Sequence, residues 1–197
     1  MTPPAASAVL TIGHSNLAAD RFIALLKNAA VTAVADVRSV PFSRWCPWFS
    51  GKALAERLAR EGIAYTALGD ALGGRPRDPA LYCDGVANYA AMAATPEFRA
   101  GLDRVVDAMA RRRVCLMCVE REPLDCHRFL LVGRALAERG LAPGHILADG
   151  KIEPHAATEQ RLLELAGGEG GFLRDHADRL VDAYRRRARA IAARVKA

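Results

Sequence analysis

Short apolar runs alternate with stretches of helical periodicity along most of this chain, and that alternation narrows the fold more than any other feature. Residues 8–12, 32–37, 63–68 and 114–119 are compact apolar runs, each closed by glycine or polar residues. Helical stripes lie between them. Phe22, Leu25, Leu26 and Ala29 follow the first run, and a helix is expected over about residues 52–61 after the second. Two helical stretches precede the fourth run, the later one carrying Phe98, Leu102, Val105, Val106 and Met109 on one side. Strands alternating with helices predict an α/β fold: a mostly parallel sheet with helices on both faces, a Rossmann-like sandwich. In such sheets ligands bind beyond the carboxyl ends of the strands, beside helix N-termini. His14, Asp36 with Arg38, Gly69, and Cys118 with Glu120 all fall at or just past predicted strand ends.

The C-terminal part reads differently. Asp149 and Gly150 separate two short apolar pieces and predict a hairpin, followed by a helix near residues 158–165. Gly167 opens a glycine-rich hinge over residues 167–171. The last segment sets Leu180, Val181, Tyr184, Ile191 and Val195 among arginines, an amphipathic pattern suited to packing on the domain or on a second subunit. We therefore expect one α/β domain over residues 1–166, then a hinge and basic helix over residues 167–197.

Charge follows the same division. The chain has a formal net charge of +6, but residues 174–197 hold seven Arg and one Lys against three Asp. The remainder is nearly neutral, so a nucleic-acid reading rests mainly on the tail, where a solvated face is the plain alternative. No apolar run is long enough to cross a membrane. Residues 1–7 lack the basic and apolar regions of a secretory signal, and a cytoplasmic location is expected. The five cysteines, an odd number, give no paired framework and are expected to be reduced.

Five groups of residues occur in order: Thr11, Gly13, His14 and Ser15; Asp36, Arg38, Pro41 and Ser43; Leu72, Gly73 and Gly74; Leu116, Met117, Cys118 and Glu120; and Cys126, His127 and Arg128. Together they make the chain resemble the bacterial family known as domain of unknown function 488, over roughly residues 11–155. The resemblance implies an α/β sandwich. It implies no activity, and the tail lies outside it.

The chemistry has to come from the residues. Arg38, Arg44, Arg75 and Arg128, with Ser15 and Ser43, lie near strand ends or helix starts and suit a small anionic ligand, phosphorylated or nucleotide-like. His14, Asp36, Glu120 and Cys126 are the catalytic candidates beside them. The plain alternative is a structural arginine–carboxylate network, which would account for Asp36 with Arg38. On the functional reading, alanine at Arg38 or Arg128 removes ligand binding and leaves thermal stability nearly unchanged.

A second reading uses the thiols. Asp125 is expected to cap a helix with Cys126, His127 and Arg128 in its first turn, which would lower the thiol pKa. Cys115 and Cys118 are three apart on a strand and so point to opposite faces, making Cys115 a packing residue. Cys118, Glu120, Cys126 and His127 could converge, with His14 from a neighbouring strand, into a zinc or iron site whose core ligands are Cys118, Cys126 and His127. A phosphatase or sulfurtransferase loop does not fit Cys118, because position 124, six residues on, is Leu rather than Arg. Trp45, Trp48 and Phe49 beside Arg44 read as a lid or core cluster, with base stacking the alternative. His145, His155 and His176 read as structural.

Overall fold

The computed structural model describes residues 9–167 and 175–195. Each apolar run forms a strand: β1 (Val9–Gly13), β2 (Ala33–Asp36) and β3 (Ala64–Ala67). A small hairpin of β4 (Tyr82–Cys83) and β5 (Val86–Ala87) precedes β6 (Val114–Cys118). The predicted C-terminal hairpin is β7 (Gly144–Ile146) and β8 (Ile152–Pro154). Six strands form one sheet in the order β3-β2-β6-β1-β7-β8, parallel except for β8.

The helices are α1 (Ala19–Asn28), α2 (Gly51–Arg60), α3 (Gly69–Leu72), α4 (Tyr89–Ala93) and α5 (Pro96–Met109). Thr95 starts α5 as an N-cap, its Oγ1 accepting from the Phe98 amide with Pro96 in the first turn. A π-helix (Arg128–Gly133) runs directly into α6 (Arg134–Glu138), and α7 (His155–Leu165) and α8 (His176–Ile191) complete the chain.

Alternation along β6 divides the core. Cys115 and Met117 face α1 and α2 with Phe22, Leu25, Leu26, Leu54 and Leu58. Val114, Leu116 and Cys118 face the other layer, where α5, the 128–138 helix, α7 and α8 contribute Phe98, Leu102, Phe129, Leu162 and Tyr184. The chain thus leaves β1 for one face and β6 for the other. These two strands are neighbours, with Gly13 paired to Cys118, so their diverging connections open a crevice at their carboxyl ends.

Two sequence expectations need adjusting. α7 starts at His155 rather than near 158. Pro123–Asp125 is a separate 3-10 turn, so the helix begins later than expected. Cys126 is extended, and its carbonyl accepts from the Phe129 and Leu130 amides, so Cys126 lies ahead of the helix and Asp125 does not cap it.

The basic tail packs on the domain. Ala183, Tyr184 and Ala192 are buried, while Val181 and Val195 are exposed, against the expected stripe. Arg187 bonds the Leu124 carbonyl and Asp125, Arg189 pairs with Asp84 and Arg185 with Asp182. Apart from Gly167, the expected hinge lies outside the described residues, as do residues 1–7. Among the described residues no helix is long and apolar enough to cross a membrane.

Candidate metal centre and its surroundings

At the crevice, Cys118 ends β6, Glu120 follows in the turn, and Cys126 and His127 open the next helix. Their donor atoms lie within 4.8 Å of one another. The Cys118 and Cys126 Sγ atoms are each 3.0 Å from Glu120 Oε2, and 3.7 and 4.0 Å from His127 Nδ1. Cys118, Cys126 and His127 are buried, whereas Glu120 is exposed. His127 Nε2–H donates to the Val37 carbonyl at 2.9 Å, which directs Nδ1 at the sulfurs and leaves it unprotonated whenever the ring is neutral.

The local backbone is shaped for this convergence. Gly13 admits the Glu120 carbonyl where a side chain would overlap it: a Cβ there would lie 1.7 Å from that oxygen. Gly74 lies under the His127 ring, with a Cβ 2.8 Å from Cγ. Arg128 is fully buried and donates from Nη1 and Nη2 to the Glu120 and Arg121 carbonyls, holding the turn after β6. The π-turn begins at this residue.

The electrostatics show acidic groups competing for few protons. Burial pushes the Cys118 thiol well up, reinforced by Cys126 and Glu120. Burial also raises Cys126, but its hydrogen bond with Cys118 and the nearby Arg128 and His127 outweigh that and hold it well below an ordinary thiol. The Arg128 amide also reaches Cys126 Sγ at 3.4 Å. Glu120 is raised by burial and by the Cys126 charge. Burial lowers His127, but bonding to Cys126 and the Cys126 charge leave it raised. Tyr89 faces the same cluster; burial raises its phenol, and the charges of Cys126, Glu120 and Cys118 add to that.

His14, Asp36 and Arg38 form a different assembly on the opposite face. Arg38 Nε and Nη2 donate to the two Asp36 oxygens at 2.9 and 2.6 Å, and Nη2 also reaches the Phe49 carbonyl. Tyr65 adds a fourth donor to Asp36, alongside the Arg38 amide. His14 donates from Nδ1 to the Ser15 carbonyl, accepts at Nε2 from Arg38 Nη1, and stacks on Phe49 at 4.1 Å. Burial and the Arg38 charge lower the His14 pKa to about 4. The structure therefore holds His14 in a neutral, satisfied position, away from the thiols it was expected to join.

The remaining candidates are scattered. Ser15 has a positive φ in the turn after β1, and its amide donates to the Val119 carbonyl. Ser43 Oγ accepts from the Cys46 amide. Arg44 is exposed and stacks over Trp45 at 5.0 Å, and Arg75 is exposed with its amide on Ser39 Oγ. Of the residues expected to form a lid or core cluster, Phe49 enters the core, while Trp45 and Trp48, like Phe42, are exposed. Cys115 is a packing residue, as its strand position predicts.

Tyr65, Tyr89, Gly74 and the Val37 carbonyl carry no sequence signal that assigns them to these assemblies. Neither did the second buried chain. Thr11 Oγ1 meets His145 Nδ1, His145 Nε2 meets His155 Nδ1, and Tyr184 links His155 Nε2 to Glu159. The structural expectation for His145 and His155 agrees with this arrangement.

The family described as domain of unknown function DUF488 matches residues 18–135, a span that includes the whole thiol cluster. No curated protein and no solved structure matches the chain.

Proposed function

The chain belongs to the DUF488 family, whose description assigns no activity, so the site itself has to supply the function, and we propose that it is a mononuclear metal centre with one exchangeable position. Cys118, Cys126 and His127 would hold the ion, and Glu120, which faces solvent, would be the exchangeable fourth donor. The observation that carries this reading is the donor geometry. A tetrahedral ion bonded to thiolate sulfur and imidazole nitrogen places those donors about 3.6 Å apart. The observed sulfur–nitrogen separations are 3.7 and 4.0 Å, while Glu120 Oε2, 3.0 Å from each sulfur, would have to move out by about 0.5 Å to join the ion.

Charge supports the same reading. Two thiols and a carboxylate in one partly buried spot cannot all ionise unless a cation joins them. A divalent ion with two thiolates, one carboxylate and a neutral imidazole leaves one net negative charge. Arg128 is buried beside it, its guanidinium bonded to the Glu120 and Arg121 carbonyls, and its positive charge complements that centre. Soft sulfur donors with imidazole favour zinc, with ferrous iron second. Such a centre polarises a carbonyl or lowers the pKa of bound water, and Tyr89 stands where it could hold a proton near the ligand.

Elemental analysis of untagged protein, beside Cys118→Ser and Cys126→Ser, tests this. One metal per chain, lost in either variant, is the expected result. Metal-free wild-type protein that cannot be loaded in vitro would end the proposal and leave a buried thiol pair. The anion site expected at the strand ends has less support, because Arg38 and Arg128 are bonded within the protein.

A further inference from the structure

A cavity of about 610 Å³ lies between the β4–β5 hairpin, α4, the 128–138 helix and α8. Its walls are mainly apolar, from Val86, Ala87, Ala93, Leu130 and Ala188. Its charged lining consists of Arg134, Arg185 and Arg189 against Glu138, an excess of positive charge. We infer that this cavity binds a small amphipathic carboxylate, its apolar body against the alanine and leucine walls and its headgroup on the arginines.

The size and lining are those of a small-molecule site: hundreds of cubic ångströms, mostly apolar, with few polar groups. The guanidiniums are available. Arg134 stacks over Tyr184 at 4.8 Å, which orients its planar fork, and Arg185 and Arg189 are well exposed. Of their present pairs, Arg189 with Asp84 is exposed on both sides, and Arg134 with Glu138 and Arg185 with Asp182 each have one exposed member, so the guanidiniums can turn to a ligand carboxylate at little cost.

One wall belongs to α8, which lies outside the residues matched by the family, whereas the thiol cluster lies inside them. The cavity is thus built by joining this tail to the family domain. Tyr89 stands between the two sites: it lines the cavity, and its phenol responds to the charges of the cluster. The inference holds whether or not a metal is bound, since no cavity residue named here is a proposed ligand.

Calorimetric titration of the full chain with octanoate and with 1-octanol tests it. Octanoate should bind one per chain, and 1-octanol at least about tenfold more weakly, because it lacks the charge-assisted bonds. Ala90 is exposed at the cavity wall, so Ala90→Trp should fill the space without disturbing the core, and should abolish octanoate binding with metal content unchanged. Arg134→Met should weaken octanoate and leave octanol unaffected. Absence of octanoate binding, equal binding of the alcohol, or binding that survives Ala90→Trp would each overturn the inference.

Discussion

His127 is held from behind by Val37: its Nε2–H donates to the Val37 carbonyl at 2.9 Å, from the strand end between Asp36 and Arg38. The bond fixes both the ring's orientation and the tautomer that presents Nδ1 to the sulfurs. It also joins the two assemblies on opposite faces of the sheet, since the backbone that receives it carries the Asp36–Arg38 pair. Supports of this type affect metal affinity about 10–100-fold.

Gly74 gives the first prediction. An added Cβ would meet His127 at 2.8–3.0 Å, and both the Val37 bond and the ring's burial leave it little room to retreat. Gly74→Ala should therefore destabilise the fold by about 1–3 kcal/mol through overpacking. It should also weaken zinc at least about tenfold in competition with a chromophoric chelator. Unchanged zinc affinity would mean that the ring is not a ligand.

Arg38 gives the second. Its guanidinium is almost wholly buried against Asp36, so Arg38→Ala leaves a buried carboxylate with only Tyr65 and an amide to bond it. Breaking a buried pair from one side costs about 3–5 kcal/mol. Urea unfolding should show that loss, the reverse of what a ligand-binding arginine at a strand end would give. A variant as stable as wild type would return Arg38 to the list of free anion binders.

These cases show what the sequence could and could not convey. Continuous apolar runs betray strands buried on both faces, and four of them located the parallel sheet and the edge where its ligands lie. Cys118, Glu120, Cys126 and His127 were legible as a group because they are close in sequence across one strand–helix junction. His14 was misplaced because its neighbours depend on strand order. With β6 beside β1, the turn after β1 carries His14 to the α1 side, away from the sulfurs. Arg38 looked available because burial of an arginine requires a partner two residues away and a cover, Phe49, eleven residues on. The π-turn at Arg128 changes the helix by one residue per turn and has no composition of its own.

The histidines give a pH prediction. Burial holds His155 at about 4, as burial and Arg38 do His14, against an unfolded value of 6.5. Both are neutral in the folded protein at pH 7, and protonation favours the unfolded chain. Their contribution is therefore complete above pH 6.5 and is lost as pH falls toward 4, on the order of 3 kcal/mol each. His145, lowered by burial and by His155, acts in the same direction; His127, which is raised, acts in the opposite one. The urea midpoint should fall between pH 7.5 and 5, and proton-carbon NMR should show His14 and His155 still neutral at pH 5.5. A His14 titrating near 6.5 would contradict the Arg38 contact.

The tail gives the last prediction. α8 and the residue after it supply Ala183, Tyr184 and Ala192 to the core, and His155 Nε2 meets the Tyr184 hydroxyl and the Glu159 carboxylate. Phe129 stacks on the same ring at 5.3 Å. Removing residues 172–197 would uncover these groups and leave His155 facing water. Burial of one aromatic side chain alone accounts for about 1.5–3 kcal/mol, and the alanines and hydrogen bonds add to it. The truncated chain should therefore unfold at markedly lower urea or aggregate. Tyr184→Phe keeps the ring and removes the hydroxyl, and should cost about 1–3 kcal/mol, chiefly from the lost bonds to His155 Nε2 and Glu159. If α8 were instead a nucleic-acid arm, truncation would leave stability intact and abolish a salt-sensitive affinity for DNA or RNA. The ion pairs of Arg185, Arg187 and Arg189 with carboxylates of the same protein argue for the first outcome.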